Sequence, residues 1–95
     1  MAATYTAIQL LQNDLGIISA TTEQIEWLTK YINQAEADLK SDDISDDRIL
    51  TDLGQTCIAM IAKDLINEKD PYDNKAVLSM RIRLGDQTDG DKQAV

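Results

Sequence analysis

Residues 45–69, SDDRILTDLGQTCIAMIAKDLINEK, constrain the fold more than any other stretch, because Cys57, Ile58, Ala59, Met60, Ile61 and Ala62 form a run of six without a charge. At about 100° per residue, Ile49, Leu50, Leu53, Cys57, Ile58, Met60, Ile61 and Leu65 spread over roughly half the circumference of a helix. A single neighbouring helix covers only one stripe of such a surface. The segment is therefore expected to form a central helix, capped near Ser45 and running to about Glu68, with the rest of the chain wrapped around it.

With 95 residues there is room for one core, and only Tyr5, Trp27, Tyr31 and Tyr72 bring aromatic rings to it. Aliphatic side chains must fill the interior, and so modest a core gains from association with other subunits. The net charge of −8 opposes general binding to phosphate backbones. That charge is uneven: residues 21–47 carry eight acids against Lys30 and Lys40, whereas residues 48–69 balance three against three. The acids either keep the surface solvated or face a basic partner.

Helix signals flank the central segment on both sides. Thr6 and Gln9 have capping-box spacing for a first helix ending near Leu15, and Gly16 followed by Ile17 suits a left-handed helix terminus. Thr21 and Gln24 repeat the box and start a second helix to about Lys40, whose core stripe is Ile25, Leu28, Ile32, Ala35 and Leu39. Trp27 and Tyr31 stand one turn apart at the edge of this stripe. They either close the rim of the core or anchor a partner, a role in which Trp and Tyr are favoured.

The acidic connection SDDISDD at residues 41–47 reads as capping, since acids suit the positive end of a helix dipole. As a calcium loop it fails, lacking the glycine and the glutamate that the EF-hand pattern requires. Asp64 interrupts the apolar sector of the central helix and needs either water at the helix end or a cation such as Arg81 or Arg83. Asp70 and Pro71 stop that helix. Residues 75–84 fit both a helix and an alternating strand, and helix is preferred because the chain offers no second strand to pair with. Gly85 is expected to end this element, leaving residues 86–95 as a flexible polar tail that either frays or orders on assembly. The fold class expected is all-α: one domain over residues 1–85, a bundle of about four helices around the central one.

Site chemistry is sparse. The chain has no histidine, no P-loop, no dinucleotide fingerprint and no paired-cysteine motif, and its carboxylates lie at helix ends and on exposed faces. Cys57 is a lone thiol inside the apolar run and reads as a small packing residue. Neither an enzyme nor a metal or cofactor carrier is expected, and without an apolar run approaching about 18 residues the chain is expected in the cytoplasm.

Taken in order, AIQLLQNDLGI, IEWLTKYINQAEADLKS, the acidic break, ILTDLGQTCIAMIAKDLINEK and NKAVLSMRIRLGD resemble the small head-tail connector proteins of long-tailed bacteriophages, also called adaptor or head-completion proteins. The resemblance spans residues 6–85. It implies a subunit of a homo-oligomeric ring of about twelve copies, closed as most oligomers are, at the virion head-tail junction. That ring would dock on the portal protein, extend the channel through which DNA passes without specific binding, and receive the next connector or tail protein. By the same analogy the closing segment, with Arg81, Arg83, Asp86 and Lys92, contacts the portal or a neighbouring subunit. The competing expectation is an acidic module that imitates nucleic acid toward a basic partner, motivated by Glu23, Glu26, Glu36, Asp38, Asp42, Asp43, Asp46 and Asp47.

Overall fold

The computed structural model describes residues 6–93, with side chains described through residue 85, and every regular element among them is helical. Five α-helices follow in order: α1 (Ala7–Asp14), α2 (Thr22–Ser41), α3 (Asp46–Ile49), α4 (Asp52–Ile66) and α5 (Lys75–Gln93), with a 3-10 turn, Pro71–Asp73, before the last. Helix α4 packs against α1, α2, α3 and α5. Its Cys57, Ile58, Ala59, Ile61 and Ala62 are buried, together with Leu11 of α1, Leu28, Ala35 and Leu39 of α2, and Val77 and Leu84 of α5.

Both capping boxes form. The Thr6 amide donates to Gln9 Oε1 at 3.0 Å and the Thr21 amide to Gln24 Oε1 at 2.9 Å, with the Gln24 amide returning a bond to Thr21 Oγ1 at 3.1 Å. At the other end of α1, Gly16 (φ 74°) donates to Asn13 O and Ile17 to Gln12 O, the paired bonds of a Schellman terminus. The same closure recurs where no glycine is present. Asp43 (φ 62°) donates to Lys40 O and Ile44 to Leu39 O after α2; Glu68 (φ 58°) donates to Leu65 O and Lys69 to Asp64 O after α4.

A left-handed backbone costs a residue with a Cβ about 1–2 kcal/mol, which Glu68 has no local means to offset. Glu68→Gly should therefore raise stability, by about 0.5–1 kcal/mol after the extra entropy of unfolded glycine is deducted. Thermal unfolding followed by circular dichroism measures it, and a lower midpoint would contradict the assignment of this terminus.

The central segment departs from expectation in one respect: it breaks. Helix α3 ends at Ile49, and Thr51 begins α4 as its N-cap, accepting from the Gly54 amide at 3.1 Å while donating to Arg48 O at 2.6 Å. Gln55 Nε2 donates to Ile49 O at 2.8 Å and Gln55 Oε1 accepts from the Ala7 amide at 2.8 Å, so one side chain ties the break to the start of α1. The break turns Leu50 outward, 54% exposed, instead of into the core stripe. Ile25 likewise stands exposed in the first turns of α2, ahead of the buried Leu28.

Helix, rather than strand, is the state of residues 75–84, and Val77 and Leu84 face inward as the helical spacing requires. Gly85 does not end the helix; the backbone continues to Gln93. A lone helical glycine costs only about 1 kcal/mol relative to alanine, too little to stop a helix by itself.

Candidate protein-docking surface

Four residues of α2, Trp27, Tyr31, Gln34 and Asp38, recur at spacings of four, three and four, and so line one edge of the helix. Across from this edge lie Ile61 and Leu65 of α4 and the Pro71–Asp73 turn. Between them runs an open groove of about 370 Å³, lined by Gln34, Asp38, Ile61, Leu65, Asp70, Pro71 and Tyr72. Its floor is aliphatic and its rim carries the Asp38 and Asp70 carboxylates. Further along the same edge, Trp27 and Tyr31 meet edge to face, with ring centroids 5.7 Å apart at 82°. Tyr31 packs against the core, whereas Trp27 is 44% and Tyr72 52% exposed. Tyr31 thus closes the rim of the core, while Trp27 is presented to solvent.

One end of the groove is held by Arg81. This residue is 8% exposed, and its guanidinium pairs with Asp38 through Nη2 and with Asp42 through Nη1 at 2.7 Å. The guanidinium lies over the Tyr72 ring, 4.7 Å from its centroid, and the Tyr72 hydroxyl donates to Asp38 Oδ1 at 2.8 Å. Burial pulls the Arg81 pKa down, but the hydrogen bonds and charges of Asp38 and Asp42 more than offset it and leave it above the ordinary arginine value. The same Asp38, as acceptor and negative charge, raises the Tyr72 phenol.

Arg81 is therefore committed within the chain, clamping α5 to α2, and is not presented to a partner as the sequence expectation had it. Arg83 is exposed on the opposite side of α5. The side chains of Asp86 and Lys92 lie outside the described residues. Asp64 pairs with neither arginine: Asn74 Nδ2 donates to Asp64 Oδ2 at 2.9 Å, while Asn74 Oδ1 accepts from the Ala76 amide at 3.0 Å and caps α5. A neutral amide thus satisfies the carboxylate that interrupts the apolar sector.

No family model, curated protein or solved structure matches this chain. What the site can do must be read from its own chemistry. Among the described residues, no group of three or more His, Cys, Asp or Glu side chains is placed to hold a metal ion, and no helix is long and apolar enough to cross a membrane. The Cys57 thiol is fully buried, and burial pushes its pKa up to about 11, with the Arg81 charge a smaller opposing influence. Relative to a thiol at 9.0, this reduces the thiolate fraction at pH 8 by about a hundredfold. Thiol-reactive dye should modify the native protein at least that much more slowly than the urea-unfolded chain. Equal rates would show that the core opens around α4.

Sequence reasoning did not find Tyr72, Asp38 and Asp42 as the partners of Arg81. Asp38 and Asp42, one turn apart at the end of α2, were a readable signal for a bidentate cation, but the cation arrives from about forty residues away.

Proposed function

We propose that this chain is a structural subunit of a phage head-tail connector, one copy of a ring that docks on the portal, extends the DNA channel and receives the next connector or tail component. The groove carries the proposal. An aliphatic floor flanked by exposed Trp27 and Tyr72 and rimmed by carboxylates has the composition of a surface that holds protein side chains. The helix order supports it as well: a short helix, a long amphipathic helix, an acidic break, an apolar helix and a closing helix with arginines. An acidic ring also suits a channel, since DNA phosphates moving past it find little to hold them.

The nucleic-acid mimic is the weaker reading, because half of its eight acids are occupied within the chain. Asp38 and Asp42 pair with Arg81, and Glu36 and Asp46 approach Lys40 Nζ at 3.3 and 3.5 Å. Neutralising the exposed Glu23, Glu26, Asp43 and Asp47 to their amides separates the two. A mimic would lose its partner, whereas a connector would retain assembly. The protein should co-purify with phage particles and bind an isolated portal ring; a functional monomer that never accompanies particles would overturn the connector reading.

A further inference from the structure

The edge of α2 that borders the groove offers hydrogen-bond donors and few free acceptors. Neither the Trp27 indole N–H nor the Gln34 side-chain amide has a partner among the described residues, and both side chains are exposed. The carboxylates that line the groove are largely engaged: Asp38 Oδ1 accepts from the Tyr72 hydroxyl and Asp38 Oδ2 from Arg81, while Asp70 Oδ1 accepts from the Tyr72 amide at 2.9 Å. Negative charge remains at the two ends, on Asp70 and on Glu23 one turn before Trp27, both exposed and without an ion pair among the described residues. Near the middle, Lys30 lies over the Tyr31 ring, 5.9 Å from its centroid. These features select an occupant. A docking helix has its carbonyls bonded within itself, so the free N–H donors would meet nothing on it. Strand addition needs a sheet edge, and every regular element among the described residues is helical. An extended chain has free carbonyls, and one rich in proline also asks for few acceptors, because the proline nitrogen carries no hydrogen. The spacing agrees. Trp27 and Gln34 are two turns apart on one face of α2, about 10.5 Å along its axis, and polyproline II repeats a face every three residues, about 9 Å. The exposed rings of Trp27 and Tyr72 add flat apolar walls of the kind that proline rings stack on.

We propose that the groove holds a proline-rich segment of a partner protein in the polyproline II conformation. Trp27 and Gln34 donate to its carbonyls, and a basic residue at either end meets Asp70 and Glu23. The segment is about six residues long, since Trp27 to Asp38 covers about 16 Å of α2 and polyproline II rises about 3.1 Å per residue. This inference rests on the reading of the groove as a protein-docking surface and names the chemistry of the segment that docks there.

Trp27 is the chain's only tryptophan, so its fluorescence reports occupancy directly. A synthetic peptide of about six prolines with an arginine at each end is titrated into the intact protein. The controls are a peptide of equal charge with glycine and serine in place of proline, and an amphipathic helical peptide. The proline peptide should saturate the Trp27 signal and bind at least tenfold more tightly than either control. Gln34→Leu should weaken that binding about three- to tenfold, the worth of one neutral hydrogen bond, and leave the glycine-serine peptide unaffected. Asp70→Asn keeps the acceptor for the Tyr72 amide and should weaken binding while flattening its salt dependence. Both sites are exposed, and circular dichroism checks the fold of each variant. Equal affinity for the three peptides, tighter binding of the helical one, no saturable signal, or a Gln34→Leu variant that binds like wild type overturns the proposal. A chain that binds the portal ring but ignores the proline peptide would leave the connector reading standing, and one that takes the peptide but ignores the portal would do the reverse.

Discussion

Gly54→Ala is expected to destabilise the protein by about 2–3 kcal/mol, the upper part of the cost of overpacking a close-packed site, although helix propensity alone favours alanine by about 1 kcal/mol. A Cβ at position 54 would lie 2.4 Å from both Arg48 O and Ile49 O and 2.7 Å from Ile49 C. These are backbone atoms at the end of α3, which the bonds from Thr51 and Gln55 hold in place, so nothing flexible can give way. Relief requires α3 to separate from α4, exposing buried Ile49. Gly85→Ala supplies the control: nothing lies within 4 Å of its added Cβ, and this variant should gain about 1 kcal/mol. Thermal denaturation of the pair should move in opposite directions. If both variants were stabilised, α3 and α4 would not be packed as described.

Arg81→Ala is expected to cost about 3 kcal/mol, near the lower end of what breaking a buried ion pair costs. The loss falls chiefly on Asp38, which is largely shielded and would keep only the Tyr72 hydroxyl, whereas Asp42 is 45% exposed and its share is screened by water. Arg81→Met fills most of the volume but leaves the same orphaned carboxylate, so it should remain destabilised. Adding Asp38→Asn to Arg81→Met should recover a large part of the loss, because the amide carries no charge and still accepts from Tyr72. A double-mutant cycle in urea reads the coupling directly. Additive single effects would mean that the clamp is packing rather than charge.

The parts of this fold that were legible in the sequence are local ones. Thr6 with Gln9, Thr21 with Gln24, and Gly16 with Ile17 each specify a helix end within four residues, and each end forms where its residues stand. The break at Thr51 was hidden because the apolar periodicity continues through Ile49, Leu50 and Leu53 as if the helix were whole. Only the close approach of α3 to Gly54 shows why it is not. The Arg81 clamp was hidden for another reason. A cation on α5 cannot be matched by spacing to carboxylates on α2, and the exposed role assigned to Arg81 by resemblance gave way to a buried one. Asp64 was read as reaching water at the helix end or pairing with a cation, yet its partner is an amide, which has no charge for a pattern to reveal.

The same distinction holds for the candidate docking surface. Trp27 and Tyr31 were visible as an edge pair from helical spacing, because that edge lies within one helix. Tyr72 and the aliphatic floor join them only through the tertiary packing of α4 and the Pro71–Asp73 turn against α2.

Negative-stain electron microscopy of lysates lacking this protein is the decisive measurement for the proposed connector role. DNA-filled heads should stand beside unattached tails, with normal particles restored by the wild-type chain supplied in trans. Intact tailed particles in its absence would overturn the proposal.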